Sequence, residues 1–238
     1  MDTFSTKHPL LFGAILFFVS LLVAGLLMGV IGALGFPSDL GTVVGRVGVA
    51  VVLVAVFGSC FHWERSFSGL RLALPVLVVV VWNVVYHLMA GSEFVAASAL
   101  PGAVLLGLAP GFFEEVLFRG IVIDRLRASG KSDWYTLWAS ALLFALVHLT
   151  NAVGMSLANV LVQVGYSLVI GLLLGAIYLK SGDIATVILS HAAIDISNQV
   201  FATQPTQSDA PMIVAFAVVL VIEAAYALWL ARRDEQKA

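Results

Sequence analysis

The sequence GFFEEVLFRG (residues 111–120) places three charged side chains inside an apolar segment that runs from about residue 103 to 121. A helix that crosses a hydrocarbon core of ~30 Å needs about 20 predominantly apolar residues, so this segment is typical of a transmembrane helix. Glu115 and Arg119 are four residues apart, share one helix face and can neutralise each other. Glu114 is rotated by ~100° from Glu115 and has no local counter-charge. A carboxylate in that position is a candidate general base.

The composition of the whole chain agrees with a membrane location. Of 238 residues, 61% are hydrophobic and 11% charged, and the mean hydropathy is +1.05. Soluble domains have roughly 45–50% apolar and about 25% charged residues. The excess must face lipid, which excludes the soluble classes. The net charge of −2 excludes the basic surface that nucleic acid requires. The single cysteine, Cys60, permits neither an intrachain disulfide nor a cysteine metal cluster.

Hydropathy predicts an all-α fold, a polytopic bundle of about eight transmembrane helices with the active site inside it. The chain shows no linker and no obvious repeat, so residues 1–238 are predicted to form a single transmembrane domain. The predicted segments are residues 9–34, 42–61, 73–90, 103–121, 134–150, 158–179, 184–202 and 212–231.

The distribution of basic residues predicts the orientation, because cytoplasmic loops are enriched in Lys and Arg. With the N-terminus in the cytoplasm, ten basic residues fall on the cytoplasmic side: Lys7, Arg65, Arg71, Arg125, Arg127, Lys131, Lys180, Arg232, Arg233 and Lys237. The opposite loops contain no Lys or Arg, and their acids are Asp39, Glu93 and Asp209. We therefore predict a multi-pass protein, of the plasma membrane, with both termini in the cytoplasm.

Two further patterns place polar side chains in apolar segments, where each ionisable group costs several kcal/mol. One is FALVH (144–148), which ends at His148, and the other is HAAID (191–195), which puts His191 and Asp195 on one helix face. At ~1.5 Å per residue, Glu114 lies about 16 Å and His148 about 21 Å from the cytoplasmic ends of their helices. His191 and Asp195 lie roughly 12 and 18 Å from theirs. All four are therefore expected near the bilayer midplane, where they can form one site.

The remaining polar residues are assigned weaker roles. Asn151 is expected to support the site at the cavity mouth, and His87 with Asn83 is expected to form a hydrogen bond between helices. Arg46 is expected to snorkel or to pair with Glu223. Gly171 and Gly175 are typical of a close helix contact.

The ordered set EExxxR, FxxxH and HxxxD on separate membrane helices resembles the CPBP intramembrane proteases, which include the type II CAAX prenyl endopeptidases and bacterial proteins of bacteriocin processing or immunity. The resemblance covers about residues 103–202, whereas helices at 9–90 and 212–231 match only in being hydrophobic. It implies that Glu114 activates water for attack on a peptide carbonyl and that His148 helps to hold this water. It also implies that His191 and Asp195 stabilise the oxyanion or bind a divalent metal, and that Glu115 and Arg119 orient the first motif.

Asp195 departs from the prenyl-protease pattern, which has Asn at this position. An amide donates to an oxyanion and an ionised carboxylate does not. Asp195 must then be protonated, orient His191, or bind a cation. Asn198, seven residues after His191, is a candidate for the missing amide. Glu114, His148, His191 and Asp195 would also suit Zn²⁺, so the expected cofactor is either none or a divalent metal.

The sequence thus favours an intramembrane endopeptidase acting on a peptide or a membrane-protein segment that enters from the cytoplasmic face. Two alternatives from other classes remain open at this point. Buried Glu, His and Asp also form the proton relays of transporters, although no inverted repeat is visible. The second alternative is a membrane scaffold or immunity protein that binds a partner without catalysis.

Overall fold

A computed structural model describes residues 3–60, 67, 69–203 and 210–232. Arg65, Asp209, Arg233 and Lys237, which entered the charge distribution, lie outside the described residues, and so does the side chain of Cys60.

Over the described residues, eight helices coincide with the eight predicted segments. They are α1 Pro9–Ala33, α2 Ser38–Phe57, α3 Val76–Met89, α4 Leu100–Glu115, α5 Asp133–Val147, α6 Leu157–Ser181, α7 Ile184–Gln199 and α8 Ala210–Arg232. The all-α class is confirmed, since the described ranges contain no β-strand. Six helical stretches are long and apolar enough to cross a membrane, so the chain is a multi-pass membrane protein.

Two of the eight helices, α3 and α7, are not among these six stretches. Helix α3 has 14 residues and α7 has 16, which correspond to about 21 and 24 Å of helix against a ~30 Å core. Helix α3 starts only after Pro75. Beyond α7 the backbone is extended, because Val200 O accepts from Val95 N (2.9 Å) and Ala202 N donates to Glu93 O (2.8 Å).

Helices α4 and α7 pack against each other, and two glycines allow close contact at this crossing. A Cβ atom on Gly107 would lie 2.6 Å from the backbone N of Ile196, and one on Gly111 would lie 2.8 Å from that of Ala192. Backbone atoms cannot move aside as a flexible side chain can, so larger residues would force the helices apart. The sequence analysis missed this pair.

The glycine contact predicted for α6 is confirmed. A Cβ atom on Gly171 would lie 3.1 Å from Ala141 Cα, and one on Gly175 would lie 2.8 Å from Leu137 Cδ1. These two glycines pack α6 against α5. Helix α8 also packs against α6.

The helix that carries the first motif is not regular throughout. After Glu115 it continues without a break as a π-helix, Val116–Val122, and then as an α-helix, Ile123–Ala128. The ideal α-helical geometry predicted for residues 103–121 is therefore wrong from Val116 onward. Such wide turns occur frequently at functional sites, and this one contains Arg119.

The outer helices present apolar side chains to the surroundings. On α1, Leu22 and Leu26 are 64% and 63% exposed, and on α8, Val221 is 68% exposed. Exposed apolar surface of this kind is stable in lipid and costly in water. Helices α4, α5, α6 and α7 hold most of the buried residues, and the predicted polar side chains lie among them.

Candidate active site

Asp183 determines where α7 begins and therefore the positions of His191 and Asp195. Its fully buried carboxylate accepts from the backbone N of Thr186 (3.1 Å) and from Thr186 Oγ1 (2.7 Å). It also accepts from Gly69 N at 3.4 Å. The cap thus joins α7 to the segment before α3. His191 follows two turns later and Asp195 about three.

His191 is the centre of the site. Its Nδ1 donates to Glu115 Oε1 at 2.7 Å, and the same oxygen accepts from Arg119 Nη1 at 2.7 Å. Glu115 is fully buried and Arg119 is 1% exposed. The predicted ion pair between Glu115 and Arg119 is confirmed. Its carboxylate also fixes the orientation of the imidazole ring, because a carboxylate accepts only, so that Nδ1 must carry a proton.

The other ring nitrogen faces two carboxylates across a gap. His191 Nε2 lies 3.9 Å from Glu114 Oε2 and 3.8 Å from Asp195 Oδ2. Both distances are longer than a direct hydrogen bond. A gap of this length between polar atoms can be bridged by a water molecule. The side chains of Glu114 and Asp195 are 16% and 29% exposed. The structure therefore brings these three predicted residues together, with Glu114 of α4 facing the imidazole of α7.

Arg119 connects α4 to two further helices. Its Nη2 donates to Gly171 O on α6 at 3.2 Å, and its Cζ lies 4.6 Å from the ring centroid of Phe144 on α5. Arg119 Nε and Glu115 Oε2 have no hydrogen-bond partner among the described residues. The glycine at 171 has a second consequence here, because its close packing brings a backbone carbonyl within reach of the guanidinium.

His148 reaches the site from the end of α5. Its Nδ1 donates to Phe144 O at 2.8 Å, so a neutral ring leaves Nε2 as an acceptor. The Phe144 ring makes edge contacts with both imidazoles, at centroid distances of 5.1 Å to His148 and 5.9 Å to His191. His148, His191 and Asp195 line one cavity of about 80 Å³, which is enough for a few water molecules.

The sequence analysis missed the wall that α6 contributes to this cavity. Gln163, Tyr166, Ser167 and Ile170 line it. Their spacing of three and four residues puts them on one helix face. Three polar residues at this spacing in an apolar helix could have predicted that this face lines a polar cavity. Asn151 lies next to this wall, because its Nδ2 donates to Gln163 Oε1 at 2.9 Å.

The structure contradicts the proposed use of Asn198 as an amide donor in the site. Its Oδ1 lies 3.3 Å from His87 Nε2, and its Nδ2 donates to Ile194 O at 3.1 Å. Asn83 Nδ2 donates to Ser197 Oγ at 2.9 Å. Asn198 thus belongs to a hydrogen-bonded contact between α3 and α7, which confirms the interhelical role predicted for His87 and Asn83. The prediction failed because it considered only the face of α7 and did not include His87 on α3, which competes for the Asn198 amide.

The pairing of Arg46 with Glu223 is also wrong. Glu223 is fully buried on α8, and neither of its carboxylate oxygens has a hydrogen-bond partner among the described residues. Arg46 lies on α2 and is half-buried.

The described residues contain no group of three or more His, Cys, Asp or Glu side chains that could hold a metal ion. In the predicted ligand set, His191 donates from Nδ1 to Glu115 and His148 donates from Nδ1 to Phe144 O, which leaves only Nε2 of each ring as a possible ligand. As placed, these residues do not fit a metal site, and we assign no step to a metal. The expectation of either no cofactor or a divalent metal stays a prediction.

Comparison with known proteins adds one positive result. Residues 96–197 match the family described as type II CAAX prenyl endopeptidase Rce1-like. The match includes all three motifs but less than half of the 238 residues. A search of curated proteins and a search of solved structures found no match.

Proposed function

We propose that this chain is an intramembrane endopeptidase in which Glu114 activates the attacking water. The proposal starts from the match of residues 96–197 to the Rce1-like family, a protease family consistent with the CPBP proteases. One observation carries the proposal beyond the family match. His191 Nε2 faces Glu114 at 3.9 Å and Asp195 at 3.8 Å across a gap. A water or a carbonyl oxygen in this gap would contact a base and a donor at the same time.

The proposed reaction uses Glu114 as base and then as acid. Glu114 takes one proton from water while the water oxygen forms a bond to the carbonyl carbon, and the carbonyl electron pair moves to oxygen. His191, carrying both ring protons, donates from Nε2 to this oxyanion. When the tetrahedral intermediate collapses, the C–N bond breaks and Glu114 returns the proton to the leaving amine. Water is consumed, and a carboxylic acid and an amine are formed.

The remaining residues support these two groups. Glu115 stabilises the positive ring of His191 through the bond to Nδ1, and Arg119 donates to the same carboxylate oxygen and holds it in place. His148 Nε2 accepts from the attacking water and orients its oxygen. Asn151 keeps the α6 wall in place through Gln163.

We propose a peptide or a segment of a membrane protein as substrate. The cavity of about 80 Å³ holds water but not a peptide, so substrate entry requires the helices around it to separate. We also propose that the chain resides in the plasma membrane with both termini in the cytoplasm. Arg127 contacts Asp133 (2.7 Å) and Leu179 O (3.5 Å), and Arg232 lies over the ring of Trp134. These contacts gather basic residues at one end of the bundle, as the positive-inside rule expects.

The test compares membranes from cells that express wild type, Glu114→Gln or Glu93→Gln at equal levels. Glu93→Gln is the matched control, because it makes the same change at an exposed loop residue. Mass spectrometry quantifies all peptide termini. We expect a set of termini that occurs with wild type and Glu93→Gln and is absent with Glu114→Gln. The same termini in all three samples would refute proteolysis by this site.

A second test addresses the metal. We expect purified protein to keep its cleavage rate in the presence of a zinc chelator and to contain less than stoichiometric metal by elemental analysis. Loss of activity on chelation that added Zn²⁺ restores would overturn the metal-free reaction.

A further inference from the structure

The proposed reaction assigns a single donor to the oxyanion, the Nε2 group of His191. Oxyanion sites in general direct more than one hydrogen-bond donor at the developing charge. Asp195, whose Oδ2 lies 3.8 Å from Nε2, only accepts when its carboxylate is ionised. Asn198, the amide expected in its place, has its Oδ1 3.3 Å from His87 Nε2 and donates to Ile194 O. A second donor must therefore come from another residue.

Tyr166 lines the same cavity as His191 and Asp195, from the wall that α6 contributes. Its depth in the bundle agrees with this placement. Asp195 comes thirteen residues after the turn at Gly182, and Ile170 comes twelve residues before it, so the two lie at nearly the same level of antiparallel helices. Tyr166 is one helical turn, about 6 Å, beyond Ile170. A tyrosine side chain is long enough to span this separation.

The hydroxyl of Tyr166 makes no hydrogen bond within the described part of the chain. The residue is half-buried, and its ring packs near Phe216 of α8 with a centroid distance of 5.7 Å. A phenol is neutral and donates one hydrogen bond. The hydroxyl is thus available to a ligand in the cavity, and it brings no net charge into the apolar interior.

Two other polar residues on this wall are poorer candidates for the donor. Gln163 lies two helical turns, about 10 Å, beyond the level of Ile170, and its Oε1 accepts from Asn151. Ser167 is 3% exposed, and its hydroxyl is attached to Cβ, so it stays close to the backbone of α6. Tyr166 combines an uncommitted hydroxyl with the reach that Ser167 lacks.

We infer that Tyr166 is a catalytic residue of the proposed reaction and the second donor to the oxyanion. The inference rests on the proposed function. As the water oxygen bonds to the carbonyl carbon, the electron pair that moves to the carbonyl oxygen is stabilised by His191 Nε2 and by the Tyr166 hydroxyl. Tyr166 keeps its proton throughout, so Glu114 alone takes the proton from water and returns it to the leaving amine.

The experiment compares wild type, Tyr166→Phe and Tyr135→Phe, each as the whole chain in nanodiscs. Phenylalanine keeps the ring and its packing and removes only the hydroxyl. Tyr135→Phe is the matched control, because it makes the same change at an exposed residue of α5. The substrate is a peptide that spans a terminus identified by the comparison with Glu114→Gln.

We expect Tyr166→Phe to lower kcat by about 100- to 1000-fold. KM should change by less than about threefold, because the donor acts on the transition state and not on the bound substrate. A peptide phosphonate, whose tetrahedral oxygens resemble the oxyanion, should bind Tyr166→Phe more weakly than wild type by about 100-fold or more. The thermal midpoint should match that of wild type, since the hydroxyl has no hydrogen bond to lose.

Equal kcat for Tyr166→Phe and Tyr135→Phe would overturn the inference. A loss in KM or in the thermal midpoint with kcat unchanged would also overturn it, because that pattern indicates a structural role. A loss of kcat in Ser167→Ala that Tyr166→Phe does not show would assign the donor to Ser167 instead. The proposed function fails separately, if Glu114→Gln leaves cleavage intact, and the inference then fails with it.

Discussion

Replacing Gly111 by alanine tests whether the α4–α7 crossing positions the site. The added Cβ would lie 2.8 Å from the backbone N of Ala192, whereas ordinary contacts begin at 3.4 Å. The two helices must therefore separate by about 0.6 Å. The bond from His191 Nδ1 to Glu115 Oε1, now 2.7 Å, would lengthen towards the limit of a hydrogen bond at about 3.2 Å.

Two opposing terms determine the effect on stability. Overpacking costs about 1–3 kcal/mol, and replacing a helical glycine by alanine stabilises by roughly 0.5–1 kcal/mol. Gly102→Ala in the same helix separates them, because no atom lies within 4 Å of the added Cβ there. We expect the free energy of unfolding of Gly111→Ala to be about 1–3 kcal/mol lower than that of Gly102→Ala.

The assay is reversible unfolding by SDS titration in mixed micelles, together with the cleavage rate. Misplacement of about 1 Å is enough to cost two orders of magnitude in rate, so we expect Gly111→Ala to cleave at least about tenfold more slowly than Gly102→Ala. Equal stability and equal rate for the two variants would contradict the claim that the α4–α7 crossing positions the site. The crossing would then tolerate a side chain that the geometry excludes.

Three further predictions concern buried polar groups, and the free energy of unfolding in mixed micelles checks each. Arg119→Met leaves Glu115 buried without its cation and should lower the free energy of unfolding by about 3–5 kcal/mol. Adding Glu115→Gln should recover part of this loss. Additive losses in the double variant would contradict the ion pair. Asp183→Ala removes a buried cap with three accepted hydrogen bonds and should lower the free energy of unfolding by about 2 kcal/mol. The control, Ser156→Ala at the exposed cap of α6, should lower it by about 1 kcal/mol or less. Equal losses would show that the bond to the segment before α3 contributes nothing. Glu223→Met removes a carboxyl with no hydrogen-bond partner in the described structure and should stabilise by about 1–3 kcal/mol; destabilisation would mean that this carboxyl has a favourable interaction.

Local periodicity determined much of the fold and part of the site. Eight apolar segments predicted the eight helices, because membrane thickness sets the length of a spanning helix. Spacing of four residues predicted the ion pair of Glu115 with Arg119, since both residues lie on one helix and its period fixes their separation. Matching depth predicted that Glu114, His191 and Asp195 meet, since the rise per residue is nearly constant.

The atoms that pair across two helices could not be predicted from the sequence and depend on the tertiary structure. The rotation of α7 about its axis places His191 Nδ1 within hydrogen-bond distance of Glu115. The same rotation directs Asn198 towards His87 and away from the cavity. Glu223 is buried on α8, and Arg46 is not a hydrogen-bond partner of its carboxylate. Each outcome depends on how side chains of distant segments fit together and on how closely two backbones approach. A single helix's period does not contain this information, because it specifies which residues share a face but not which neighbour that face meets.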